Sequence, residues 1–227
     1  MVILFPAYLE QPKYVEHKLC HYQQCYNWDC GIASVIMVLS AEQRDFMQKN
    51  FIKICQDEGL QQSTWTIDLC YLLKRFSIEH CMYTTVKGVN NRQANYDKIE
   101  YQERKRVEGR FAHADDAGIL VHQKELTVDE ILLHVETRGP AIVLIDAALL
   151  ACDLCKHNKL RAEFRRAFGG AYRGHYVVVV GRGGGKILYR DPALDPRLCA
   201  TSPARLHAAR RAPGTDFDAI LIFRNYR

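Results

Sequence analysis

Asn27-Trp28-Asp29-Cys30-Gly31-Ile32-Ala33-Ser34-Val35-Ile36-Met37-Val38-Leu39-Ser40 is the stretch on which the fold turns. From residue 30 onward it is compact and apolar, and its Ala, Met and Leu content predicts a buried helix, although Ile32, Val35, Ile36 and Val38 also suit a strand. A thiol at a helix start is chemically distinctive. A free thiol, with a pKa near about 8.5, is only slightly ionised at neutral pH. The partial positive charge of a helix N-terminus and a nearby imidazolium both favour the thiolate, which is the nucleophile. Gly31 keeps the first turn bare, so a carbonyl can approach the sulfur. Asp29 opposes ionisation of its neighbour unless it caps the helix and points away.

A nucleophile of this kind needs a base, and His175 is the strongest candidate of nine histidines. It stands between Gly174 and the run Tyr176-Val177-Val178-Val179-Val180, at the start of a core strand, and Gly174 leaves room for a substrate. Asp191, in Tyr189-Arg190-Asp191-Pro192, closes the next strand. If Gly181 to Gly185 turn a hairpin, Asp191 reaches the far ring nitrogen of His175 and fixes its tautomer. Gln24, six residues before Cys30, supplies a side-chain amide that with the Cys30 N–H makes a two-donor oxyanion hole; Gln23 fits the spacing less well. Taken singly, each has a plain structural reading: a small core Cys, a structural His, a turn at Asp-Pro. Their order along the chain carries the argument.

Outward from these residues, 13–29 reads as loop. Residues 45–55 read as one amphipathic helix burying Phe46, Phe51, Ile52 and Cys55, and 66–76 as another with Ile67, Cys70, Leu73 and Phe76 inward. Residues 79–86 and 119–122 read as strands, and Thr127 with Glu130 as a capping box. The most polar stretch, 88–116, reads as a surface insertion with a charged helix. Strands follow at 141–146, 176–180, 186–190 and 219–223, with a helical interlude at 203–210. Helices first and an antiparallel sheet later point to an α+β fold in a single domain over 1–227.

Composition sets the outer bounds. The chain has 227 residues, 48% hydrophobic and 25% charged, with 14 Gly and 7 Pro, which excludes collagen-like and disordered classes. No apolar run is long enough for a membrane span, and Met1 to Pro12 lacks a basic region before its apolar stretch, so a soluble cytoplasmic or nuclear protein is expected. The formal charge of +5 is spread over Arg clusters at 104–110, 161–166 and 205–211 that are broken by acidic or apolar residues. They read as solvated helix faces, and no nucleic-acid partner is expected. Nine cysteines without secretory context imply reduced thiols.

The order Cys, His, Asp is that of papain-like cysteine peptidases. Gln24-x5-Cys30-Gly31-x-Ala33 resembles the peptidase domains that cut double-glycine leader peptides at ABC exporters. The chain also resembles the eukaryotic guanylyl cyclase domain-containing protein family. The matching pieces are Gln23-Gln24, Trp28-Asp29-Cys30-Gly31, Ser63-x-Trp65-Thr66-Ile67-Asp68-Leu69, Ala141-Ile142-Val143-Leu144, Cys152-Asp153-Leu154-Cys155, Gly174-His175-Tyr176-Val177-Val178 and Gly214-Thr215-Asp216-x-Asp218. The resemblance implies a papain-like fold with Cys30 as nucleophile, His175 as base, Asp191 as orienter and Gln24 in the oxyanion hole. The expected activity is hydrolysis of a peptide or other amide bond in a peptide or protein substrate, with no cofactor. Trp28, Gly31 and Gly174 are the expected substrate contacts, and Gly169-Gly170-Ala171-Tyr172 forms one lip of the cleft.

Two other readings stand beside this one. The family name asserts cyclisation of GTP, for which Asp68, Asp216 and Asp218 are the candidate ligands of divalent metal. Gly181-Arg182-Gly183-Gly184-Gly185-Lys186 fails the phosphate-loop pattern, because Ile187 stands where Ser or Thr is needed and a strand follows. A non-catalytic binding module is the third class. Separately, Cys152-x-x-Cys155 has the spacing of half a zinc centre, completed by His157 or Cys199, or of a redox dithiol.

Overall fold

A computed structural model describes residues 14–60, 63–90, 99–168 and 172–224. The lip at 169–171 and the N-terminal stretch 1–13 lie outside them, as do 91–98 of the polar segment.

The first helix, α1 (Cys30–Val38), has all nine of its residues buried, so it lies inside the molecule with no polar face. Around it run α2 (Ala41–Lys49), α3 (Phe51–Asp57) and α4 (Thr66–Arg75). The single helix expected over 45–55 is two. Ser40 and Gln43 form a capping box that starts α2 early, and the chain breaks at Asn50, whose side-chain amide donates to the Phe46 carbonyl. The buried face changes with the break: Met47, Ile54 and Cys55 point inward, whereas Phe46 and Ile52 are 53% and 69% exposed.

The strands are β1 (Tyr14–Glu16), β2 (His80–Thr84), β3 (Leu120–Gln123), β4 (Ala141–Asp146), β5 (Gly174–Gly183), β6 (Lys186–Arg190), β7 (Cys199–Thr201) and β8 (Ala219–Ile222). They form one sheet in the order β3-β2-β8-β4-β5-β6-β7. Every pairing is antiparallel except β2 with β3, which is parallel, so the sheet is mixed rather than wholly antiparallel. β1, read from sequence as loop, pairs with Gly181 to Gly183 of β5, beyond the reach of β4. Gly181 permits that approach, since a Cβ there would stand 1.9 Å from the Val15 carbonyl oxygen.

The Val177–Val180 run has no polar alternation because both faces of the sheet are covered. Tyr176, Val178 and Val180 pack with α1 and α4. Val177 and Val179 pack on the other side with α6 (Val128–Thr137) and with α8 (Pro203–Arg210), which follows α7 (Lys159–Phe168) in the chain. α6 begins with the expected Thr127–Glu130 box. This is the α+β architecture read from the sequence, with helices on both faces instead of one.

The charged helix α5 (Tyr101–Ala112) buries only Val107 and is docked by charge. Asp68 of α4 is fully buried and accepts from Arg106 and Arg110, at 3.0 and 2.8 Å. It also caps its own helix through the Trp65 N–H. These arginines are therefore not the solvated face expected. Arg210 of the third Arg cluster is likewise buried, donating to the Leu126 and Phe217 carbonyls. Replacing Asp68 with Ala strands two partly buried guanidiniums and is expected to cost about 3 kcal/mol. A thermal melt reads that as a drop of roughly 6–12 °C; an unchanged melt would remove Asp68 as the anchor of α5.

Candidate active site

Cys30 stands in the first turn of α1, where the N–H groups have no intrahelical acceptor. Asp29 is buried and turns backward, accepting from the Cys25 and Tyr26 N–H groups at 3.0 Å each. It thereby ties the preceding loop to the helix start. Burial pushes its carboxyl up despite those two bonds.

Gly184 and Gly185 turn the β5–β6 hairpin, both with positive φ (56° and 71°). They make a connection between two strands, not a phosphate cradle at a helix start. The hairpin brings the two ends together as anticipated: His175 Nε2 lies 2.7 Å from Asp191 Oδ1. Ala193 N–H holds the same carboxylate oxygen at 2.9 Å. Nε2 is thus engaged, which leaves Nδ1 for the sulfur. Burial alone would lower the His175 pKa, but its hydrogen bonds to Asp191 and to Cys30 outweigh that and hold it up at about 10. For Asp191 burial works upward, and the bonded His175 ring more than reverses it, so the carboxyl titrates below its usual range.

Cys30 is 7% exposed, and it opens onto a cleft of about 290 Å³. One wall is Asn27 and Trp28 with Ser63, Thr64, Trp65 and Thr66; the other is Tyr172, Gly174, Tyr176, Gly214, Asp216 and Asp218. Trp28 and Gly174 therefore line the cleft. Gly174 leaves space for the Tyr172 ring, whose hydroxyl oxygen would be 2.7 Å from a Cβ there. Gly31 does not face the cleft. Its missing side chain is the space taken by Leu69 and Tyr176, which come within 2.9 and 3.0 Å of a Cβ position, so it serves helix packing. Gln24 is also placed differently. Its Nε2 donates to the Tyr26 carbonyl at 2.6 Å, its Oε1 is buried without a partner, and it is not among the residues lining the cleft. Its backbone N–H does bond to the Pro192 carbonyl, tying the pre-helix loop to the turn that carries Asp191.

Of the cyclase ligand candidates, Asp68 is committed to its two arginines. Asp216 and Asp218 sit together in the cleft. Nothing in the sequence shows that Asp218 is buried, since an acid flanking a strand is ordinarily exposed. It is 8% exposed and its Oδ1 has no hydrogen-bond partner. Burial pushes its carboxyl up to about 7, against the lowering effect of the Thr66 and Thr84 hydroxyls. An acid whose folded pKa is raised adds stability below its unfolded value near about 3.9 and loses it as pH climbs to 7. Above that window Asp218 costs up to about 4 kcal/mol. Asp218→Asn is expected to raise the melting temperature several degrees at pH 8 and to leave it nearly unchanged at pH 4; equal shifts at both would refute the buried charge.

A cysteine on a helix start, a histidine on the facing strand and an aspartate at the next strand end thus come together beside one cleft. The chain belongs to the family described as Guanylylate cyclase, whose profile matches residues 19–222. It is 31% identical over 212 residues to Guanylyl cyclase 1 of Arabidopsis thaliana, covering 89% of this chain and 74% of the relative. A solved C39-like peptidase from Bacillus anthracis aligns with 44% of this chain and about half (49%) of its own, at 17% identity and a TM-score of 0.31. That overlap is too partial to bear on the argument.

Proposed function

We propose that this protein is a cysteine-dependent amide hydrolase acting on a peptide or protein. The observation that carries the reading is the Cys30–His175–Asp191 chain at the edge of the cleft. The attacking species is the Cys30 sulfur with its proton passed to His175, whose ring Asp191 holds. The sulfur attacks the carbonyl carbon, and the developing oxyanion meets the free N–H groups of the first turn of α1. The second Nε2 hydrogen of Gln24, left over from its bond to Tyr26, is the proposed other donor. His175 passes its proton to the leaving nitrogen, the C–N bond breaks and a thioester remains. Water, deprotonated by the now neutral His175, attacks the thioester and releases the acid, which frees the Cys30 sulfur with the proton on His175 for the next turnover.

Labelling tests this directly. At pH 6 a peptidyl electrophile should modify Cys30 ahead of the other eight cysteines, as read by mass spectrometry of the digest, and His175→Ala should remove that preference. Uniform labelling of the exposed Cys20 and Cys25 instead would sink the reading.

A second reading rests on the name of the Arabidopsis relative and on two carboxylates in the cleft. As a guanylyl cyclase the chain would hold divalent metal on Asp216 and Asp218 and would turn GTP into cyclic GMP. Among the described residues those two do not belong to any convergent set of three metal-ligating side chains.

A further inference from the structure

The described residues contain one such set, and it lies on the other face of the sheet from α1. Cys152, Cys155 and Cys199 bring their sulfurs within 4.8 Å of one another. Cys152 and Cys199 belong to the second core, with Tyr189 and Ile187, while α1 belongs to the first. We propose that these three cysteines form a zinc site, independent of the Cys30 cleft.

Tetrahedral zinc with bonds of about 2.3 Å places its sulfurs about 3.8 Å apart. The Cys155–Cys199 separation is 4.0 Å, so closing the site needs only a small contraction. The chain is folded around one sulfur as a thiolate would require: the Cys155 and Ala200 N–H groups both donate to Cys152 Sγ, each at 3.4 Å. To do so it turns through Lys156, which adopts a left-handed φ of 57° without being glycine. The loop is then fastened on both sides. The Cys152 N–H bonds to the His157 carbonyl and the Asp153 N–H to the Ala200 carbonyl. The Asp153 carboxylate is held by Lys186 and Arg205.

Zinc binding would release the thiol protons as the three sulfurs close on the ion. From the exposed side the Arg197 guanidinium hydrogen-bonds Cys155. His157 is exposed, and its ring lies outside the set of converging ligand atoms, so water takes the fourth position. A metal here joins the loop after β4 to β7, and so braces the 191–198 turn that carries Asp191.

The test uses the full chain, reduced and stripped with a chelator, then titrated with Zn²⁺ and Co²⁺. One equivalent should bind, the cobalt form should show a thiolate-to-metal charge-transfer band, and zinc should protect these three cysteines from alkylation. Cys155→Ser, at a partly exposed position, should weaken binding about a hundredfold or more, since loss of even an outer partner costs 10–100-fold. Cys30→Ala should leave it unchanged, which separates this site from the proposed hydrolase. No bound equivalent, equal affinity in Cys155→Ser, or recovery of a Cys155–Cys199 disulfide from the freshly purified chain would overturn the assignment.

Discussion

Cys30→Ala is expected to abolish acyl transfer while leaving the fold intact. The nucleophile, base and orienter act as a unit, so removing the sulfur should cost about 10⁴-fold or more in turnover. The substitution also removes the Cys30 share of the bonds that hold up His175, so the melting temperature at pH 7 should fall by a few degrees without loss of the fold. A p-nitrophenyl ester read by stopped flow gives the measurement: the native chain should release a burst near one equivalent, followed by slow turnover, and the variant should release none. Cys30→Ser, which keeps the shape, should also lack the burst, because a serine hydroxyl beside a protonated imidazole is a poor nucleophile. The cyclase reading gives the opposite result. Formation of cyclic GMP that needs divalent metal and survives Cys30→Ala would end the hydrolase proposal.

The sequence made the chemistry legible wherever a single short range of chain carried it. Cys30 at a helix start, His175 before a valine run, the glycine hairpin and Asp191 at its far end are local features, and the geometry brings His175 and Asp191 to 2.7 Å. The alternation of strands was legible for the same reason. What stayed hidden is non-local. β1 exists only because β5 extends past the end of β4 and leaves an unpaired edge. Asp68 stood as a candidate metal ligand, and Arg106 and Arg110 as solvated charges, because nothing in the chain announces that residues 38 and 42 positions apart will meet. For Gln24, spacing placed the residue but fixes neither the rotamer of an amide nor its bond to the Tyr26 carbonyl.

The cleft shows the other side of this. Of the seven segments on which the family resemblance rests, five supply its lining: Trp28 and Cys30, Ser63 to Thr66, Leu144, Gly174 with Tyr176, and Gly214 to Asp218. Segments far apart in the chain that share one cavity point to a common ligand more strongly than packing does, since packing alone would scatter them through both cores. Cys152 to Cys155 stands apart on the other face, which fits a separate site.

The Asp191 carboxylate should set both the rate and the alkaline limit of stability, and two substitutions separate these effects. Asp191→Ala leaves His175 Nε2 without an acceptor, so the ring is free to turn away from the sulfur, and the loss is expected at about 10³-fold in kcat. Asp191→Asn keeps an acceptor oxygen, as in papain-like triads that use Asn, and should recover much of that loss. The charge is the difference between Asp and Asn, and it is read in the pH dependence. A histidine whose folded pKa is raised to about 10 contributes stability that is complete below its unfolded value near 6.5 and is lost as pH rises to 10. The full span is worth up to about 5 kcal/mol, shared between Asp191 and Cys30. The native melting temperature should therefore fall steadily between pH 6.5 and 10, and Asp191→Asn should flatten much of that decline while retaining activity. The carboxylate adds a second, acidic window, because its lowered pKa gives stability above the unfolded value that disappears as pH falls through the folded one. If Asp191→Asn and Asp191→Ala proved equally inactive, or if neither changed the alkaline slope, Asp191 would be a turn residue and His175 would need another partner.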